Sequence, residues 1–389
     1  MSQTLTSRYV VFPRVAFVAA LLTLALDGGV GAVYGTLLTS IAHHFDVSVP
    51  TAGIILTMNF VGGIAGAVAA WWSMRLMSGR WVLAASLALL GFGLVGLATV
   101  NKWTVFEGAA VLTGIGFGAL DLAVYALLSR VEPTVRSWHL SVVGSGWGIG
   151  AVVAPLAIVI LQARHFIEFF YGAAIVAFVL IVPTLRLVAP RDENPAVLGM
   201  SRPAAKVLGL FGIALFFYVS LETSISGWAA SQLTAWHYSS SWAEITSAGF
   251  WAGVAFGRLL APRWSHRLGD ARVVIAGIII ASVLVPFASL RILAPVTYPV
   301  VGVCLSIVFP LALGWYNHVS SAPENGVAFL LLVTMVGGAV GPGVESLFVA
   351  HYGYGAVAWV ADGFAALCAV TCVVIAALLP RMATSIGRG

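Results

Sequence analysis

The 389-residue chain is 60% hydrophobic and only 8% charged, with a mean hydropathy of +1.02. A soluble domain carries roughly 25% charged residues, so this composition excludes a water-soluble enzyme, a nucleic-acid binder and a disordered chain. The net charge of +5 is explained below by where the basic residues fall, without a nucleic-acid partner.

Apolar residues come in blocks of about 20, the length a helix needs to cross roughly 30 Å of hydrocarbon. In chain order they predict twelve spans: 15–39, 51–72, 81–99, 105–129, 138–162, 166–187, 207–233, 242–261, 272–290, 296–319, 327–350 and 355–380. Met1 to Arg14 is polar and has no cleavable signal pattern, so the first block is read as a retained span. The longest polar interruption, Val188 to Lys206, contains Pro190-Arg191-Asp192-Glu193-Asn194-Pro195. The expected organisation is therefore an all-α membrane protein with a six-helix bundle at 1–187, a cytoplasmic loop at 188–206 and a second six-helix bundle at 207–389.

Cytoplasmic loops of membrane proteins carry an excess of Lys and Arg. With the N-terminus inside, only Lys102, Arg164 and Arg291 of the 19 basic residues fall outside. Both termini are expected in the cytoplasm, the protein in the cytoplasmic (inner) membrane, and the basic balance in the loops.

The halves also repeat. Gly62 and Gly66 in the second span precede Arg75-Leu76 and Arg80, while Gly253 and Gly257 in the eighth precede Arg267-Leu268 and Arg272. The fifth span reads Gly144-Ser145-Gly146-Trp147-Gly148-Ile149-Gly150, and the eleventh answers with Gly337-Gly338 and Gly341-Pro342-Gly343. Small residues let membrane helices approach closely, but two matches in the same order on corresponding spans point to an internal duplication.

Two such halves, each with a short Arg-rich cytoplasmic loop after its second span, resemble the major facilitator superfamily over nearly the whole chain. The family's loop signature is partly kept: Arg75, Gly79 and Arg80 in the first copy, which lacks the acid, and Arg267, Gly269, Asp270 and Arg272 in the second. The resemblance implies that these are gating loops steadying one conformation of an alternating-access cycle. The fourth span, Gly114-Ile115-Gly116-Phe117-Gly118-Ala119-Leu120-Asp121, is similar to the Gly-x-Gly-x-Gly-x-x-Asp segment of the fucose/hexose proton-symporter-like branch. Tyr125 stands where that branch usually has Asn. Leu221-Glu222-Thr223-Ser224-Ile225-Ser226-Gly227-Trp228 in the seventh span and Gly257-Arg258-Leu259-Leu260 in the eighth are similar as well.

An ionisable residue within the membrane costs at least ~2.5–3.5 kcal/mol and is a functional hypothesis by default. Asp27, Asp121 and Glu222 fall deepest; Glu345 and Asp362 fall nearer the outer face, where water or a helix-end hydrogen bond would solvate them. No Lys or Arg is expected at comparable depth, which argues against an anionic solute, because a carboxylate or phosphate is best held by a buried Arg. The branch pairs acids on its first and fourth helices, one for proton coupling and one for solute contact, and that implication falls on Asp27 and Asp121. The plainer alternative is a hydrogen bond from one of them to Tyr34, Asn59 or Tyr125, three residues otherwise expected to contact the solute. Glu222, with Ser224, Ser226 and Gln232 on its span, would offer hydrogen bonds to a hydroxylated solute, or else a packing contact.

Trp81, Trp103, Trp138 and Trp242 sit at span ends, as interfacial anchors do. Trp147, Trp228 and Trp251 are mid-span, where ring faces suit sugar C–H surfaces or cations. Cys304, Cys368 and Cys372 read as small apolar residues, and no metal-ligand constellation or phosphate-cradling loop is present in the sequence. The expectation is a secondary transporter, not an enzyme, with its solute site between the halves. It would move a small neutral polar, sugar-like solute by proton symport, as a monomer in the lipid bilayer, with no cofactor beyond the ion gradient. Na⁺ would serve the same carboxylates. The alternative is a proton-coupled exporter of lipophilic or cationic compounds.

Overall fold

The computed structural model describes residues 10–160, 166–188, 202–320 and 323–386. In a bilayer every backbone polar group needs an internal partner, which leaves helices as the natural form of these apolar blocks. The helices are α1 (Arg14–His44), α2 (Val49–Leu76), α3 (Gly79–Thr99), α4 (Trp103–Ser129), α5 (Pro133–Ile160), α6 (Phe166–Thr184) and α7 (Arg202–Ala235). They continue with α8 (Ser240–Leu268), α9 (Asp270–Leu284), α10 (Ala294–Leu305), α11 (Val308–Val319), α12 (Pro323–Tyr352) and α13 (Ala356–Ile386). Val11 and Val188 form an isolated antiparallel bridge, and the Val10 N–H donates to the Arg130 carbonyl, fastening the start of the chain to its own bundle.

Local chemistry sets the boundaries. Ser48 accepts a hydrogen bond from the Thr51 N–H at 3.1 Å, and Ser239 accepts one from the Trp242 N–H at 3.3 Å, so α2 and α8 start before the apolar runs do. Helix α7 reaches back to Arg202, because Pro203 in a first turn has no N–H to leave unsatisfied. The expected loop 188–206 is therefore shortened at its end, and 189–201 lie outside the described residues. The predicted tenth span is two helices, α10 and α11, broken at Ser306-Ile307. Pro310 cannot donate to the Ser306 carbonyl, and its ring crowds that carbonyl. Pro286 likewise turns the end of the ninth span into a 3₁₀ segment, Val285–Ser289.

Eleven stretches among the described residues are long and apolar enough to cross a membrane, with α9 joined to the 3₁₀ segment and α10 joined to α11. Helix α8, at the eighth predicted span, is 29 residues long but carries Glu244, Arg258, Arg263 and Arg267 and is not among the eleven.

The chain forms two compact units, Met1–Pro195 and Ala196–Gly389. In the first, α1 packs on α5, α2 on α4, and α3 on α4 and α6; in the second, α7 packs on α12 and α13, and α8 on α10. Glycines set the closest seams. A Cβ at Gly62 would lie 2.1 Å from the Val111 carbonyl oxygen, and one at Gly150 would lie 1.7 Å from that of Ala25. Nothing larger than hydrogen fits.

The second unit repeats these contacts in register. Gly253 meets the Pro299 carbonyl as Gly62 meets that of Val111, and Gly302 meets Phe250 as Gly114 meets Asn59. Gly337 and Gly341 meet the Phe216 and Ser220 carbonyls as Gly146 and Gly150 meet those of Leu21 and Ala25. The duplication seen in the glycine spacing is thus one of helix-to-helix approach. A constant shift of 195 residues carries Leu21 and Ala25 onto Phe216 and Ser220, and the same shift carries Asp27 onto Glu222.

Candidate solute and proton site

In the first unit the α1–α5 seam delivers Trp147 to Asp27. A Cβ at Gly28 would stand 2.0 Å from the Trp147 carbonyl oxygen, and one at Gly31 would stand 3.9 Å from the Trp147 ring and 3.4 Å from that of Phe117. Asp27 is fully buried, and among the described residues neither of its carboxylate oxygens has a hydrogen-bond partner. The Trp147 indole and the Asp121 carboxyl are the groups that act on it through space. Thr23, one turn earlier on the same face of α1, also buries its hydroxyl without a partner. Asp121 itself is half-buried on α4. The two acids chosen by depth are neighbours, and Trp147 stands with them.

Tyr34 and Asn59 are placed otherwise. The Tyr34 hydroxyl donates to Asn59 Oδ1 at 3.3 Å, both side chains are buried, and Thr113 also stands beside the phenol. They satisfy each other in the α1–α2 seam rather than holding either acid. The Tyr125 hydroxyl lies 3.5 Å from where a Gly144 Cβ would stand, between α4 and α5.

In the second unit Glu222 is buried, accepts a hydrogen bond from the Tyr218 hydroxyl at 2.8 Å, and feels the charge of Arg258. This corrects the expectation that no cation reaches the depth of the acids. Arg258 stands nearly three turns, roughly 15 Å, inside the C-terminal end of α8, and a long guanidinium side chain extends that reach. Counting basic residues by loop placed it at the membrane surface. Trp228 and Trp251 are buried inside this unit, Trp251 edge-on to Phe250. Gln232 accepts a short hydrogen bond from the Tyr298 hydroxyl and donates to the Ala288 carbonyl at 3.4 Å, away from Glu222.

Glu345 is the second correction. Expected near the outer face with water or a helix end to solvate it, it is instead fully buried on α12, with neither oxygen hydrogen-bonded. Asp362 does behave as a structural carboxylate, accepting from the Ser282 hydroxyl at 3.0 Å.

At the loop after α2 the Arg75 guanidinium lies 3.6 Å from the Trp71 ring centroid, and Arg80 lies 5.7 Å from that of Trp81. Without an acid in this copy, aromatic faces take up the cations. In the other copy Asp270 opens α9, accepts a short hydrogen bond from Ser265 and stands 3.6 Å from His318 Nδ1, while Arg267 and Arg272 are exposed. Gly269 precedes it with φ 81°, a left-handed conformation that only glycine adopts freely.

Comparison with known proteins agrees with this architecture. Residues 19–221 match the Major Facilitator Superfamily, and the chain belongs to that family. It is a multi-pass membrane transporter by family and fold, and not an enzyme. A solved D-xylose-proton symporter superposes with a TM-score of 0.75 at 14% identity, covering 93% of this chain and 97% of that one. The glucose/galactose transporter of Brucella abortus is 22% identical over 325 residues, 78% of this chain and 75% of its own length. The gentisate transporter of Corynebacterium glutamicum is 25% identical over 335 residues, 80% and 73% respectively. The cis,cis-muconate transport protein of Acinetobacter baylyi is 25% identical over 176 residues, which span 45% of this chain and only 41% of that protein.

Proposed function

We propose that this transporter couples inward proton movement to symport of a small neutral polar, sugar-like solute, exposing its site alternately to the two sides of the cytoplasmic membrane. On this reading α8 also crosses the membrane, making twelve spans in all, both termini are cytoplasmic, and the Arg75/Arg80 and Arg267/Asp270/Arg272 loops gate the cycle.

One observation carries the proposal: Asp27 is fully buried, its oxygens have no partner in hydrogen-bond geometry among the described residues, and Asp121 and Trp147 are the polar groups that act on it. An ionised carboxylate left unpaired in a low dielectric is far more costly than the neutral acid. Two adjacent carboxylates resist joint ionisation, so the pair tends to hold a proton and to release it when its surroundings change. Trp147 brings an indole N–H and a ring face to the site of a hydroxylated solute. The likeness to a D-xylose-proton symporter and a glucose/galactose transporter supports the solute class.

The test is proton entry into proteoliposomes on addition of hexoses, pentoses or polyols. Solute accumulation should fail in Asp27→Asn and Asp121→Asn while solute exchange survives.

A second reading has its own observation. Arg258 at Glu222 gives the second unit a cation inside the membrane, and a gentisate transporter is among the relatives. An aromatic carboxylate would then displace Glu222 from the guanidinium. Competition between gentisate and hexoses for uptake separates the two, since an anionic solute should lose its transport in Arg258→Gln.

A further inference from the structure

The two units are duplicates, so a residue can be compared with its counterpart. The glycine contacts fix four registers: 195 residues from α1 to α7, 191 from α2 to α8 and from α5 to α12, and 188 from α4 to α10. In the first unit, Gly29, Val33 and Leu37 of α1, Ala110 of α4 and Ala154 of α5 are all apolar and buried. A Cβ at Gly29 would lie 3.2 Å from the Ala154 methyl group. The counterparts in the second unit are Ser224, Trp228, Gln232, Tyr298 and Glu345. Five apolar positions have become polar together, at a place where the fold needs only small apolar contacts.

Their contacts form a chain. Ser224 acts on Glu345 as Ala154 touches Gly29 in the other unit. Tyr298 faces Glu345 electrostatically and donates its hydroxyl hydrogen bond to Gln232 Oε1. Ser224, Trp228 and Gln232 recur every four residues, hence on one face of α7. The Ser224 hydroxyl, the Trp228 Nε1 and both oxygens of Glu345 are buried without hydrogen-bond partners among the described residues. The charged groups on neighbouring elements are engaged elsewhere. Asp362 of α13 takes Ser282, His318 of α11 stands at Asp270, and Glu222 of α7 has Tyr218 and Arg258.

We propose that Glu345, with Ser224 and Tyr298 beside it, is a second proton-binding site, confined to the C-terminal unit and separate from Asp27 and Asp121. Among the described residues no cation pairs with this carboxyl, and a buried charge without one is the costly state. A hard metal cation would want a shell of oxygen ligands. The neighbours here are instead a hydroxyl and a phenol already donating to Gln232. Those groups suit a carboxyl that gains and loses a proton: the Ser224 hydroxyl is a donor for the carboxylate and an acceptor for the acid.

The experiment is infrared difference spectroscopy on the reconstituted protein through a pH jump, reading the carboxyl C=O stretch. A neutral-carboxyl band that fades as pH rises should be present in the parent and in the Asp27→Asn/Asp121→Asn double variant. Adding Glu345→Gln to that double variant should abolish it, while Glu345→Gln alone leaves any Asp27 signal in place. Glu345→Ala with Ser224→Gly recreates the pair the first unit already packs, so in the double-variant background it should fold and lack the band as well. A pH difference spectrum unchanged by Glu345→Gln would overturn the proposal, as would bleaching of the band by Na⁺ at fixed pH.

Discussion

Gly28→Ala tests the geometry around Asp27 without touching a polar group. The added methyl carbon would stand 2.0 Å from the Trp147 carbonyl oxygen, 2.7 Å from its carbonyl carbon and 2.9 Å from its Cα. All three are backbone atoms, so no side chain can rotate out of the way. Restoring an ordinary contact of about 3.4 Å separates α1 from α5 locally by roughly 1.4 Å. Overpacking of this kind costs about 1–3 kcal/mol, and the opening carries the indole away from Asp27. Displacement of a working group by 1 Å can cost ~100-fold in rate; we expect solute-driven proton uptake to fall by at least ~10-fold, with a lower melting temperature in detergent. Gly108→Ala is the control, since a Cβ there meets nothing within 4 Å; it should change neither, apart from a small gain in helix propensity. Equal behaviour of the two variants in both assays would refute the claim that the Gly28 contact sets the site.

Other outcomes follow from the same contacts. Arg258→Leu should destabilise the protein by about 3–5 kcal/mol, because it leaves Glu222 buried without its cation; Glu222→Gln in the same chain should recover much of that loss in thermal melts. Tyr34→Phe should cost only about 0.5–1.5 kcal/mol and leave coupling intact, since its hydroxyl serves Asn59 and not an acid. Trp147→Phe keeps a ring but removes the indole N–H, so it should weaken solute uptake without abolishing proton binding at Asp27, read by the infrared carboxyl signal.

Much of the fold is legible in the sequence because hydrocarbon thickness imposes a length on each apolar block. The spacing of Gly62, Gly66, Gly253 and Gly257 also announces the duplication. What the spacing does not show is that each glycine faces a particular carbonyl, and those contacts alone set the registers between units. Asp27 and Asp121 stand out by depth, and they prove to be neighbours. Arg258 and Glu345 were misjudged for one reason: both were placed by distance from a span end, as though depth decided solvation. Side-chain reach carries Arg258 inward, and packing of α12 against α7 buries Glu345. Aligning the halves by 195 and 191 residues would have flagged Glu345, a glutamate where the first unit has Ala154. Tyr34 and Asn59 were singled out as polar groups in apolar spans, but the mutual hydrogen bond that occupies them is visible only in three dimensions.

The central claim is that the Asp27–Asp121 pair carries the coupled proton. It is tested most directly by measuring pH inside proteoliposomes when solute is added, in the parent and in Asp27→Asn and Asp121→Asn. The account predicts internal acidification with a sugar or polyol in the parent and none in either variant, although both still exchange labelled solute. Acidification that persists in both variants would contradict it.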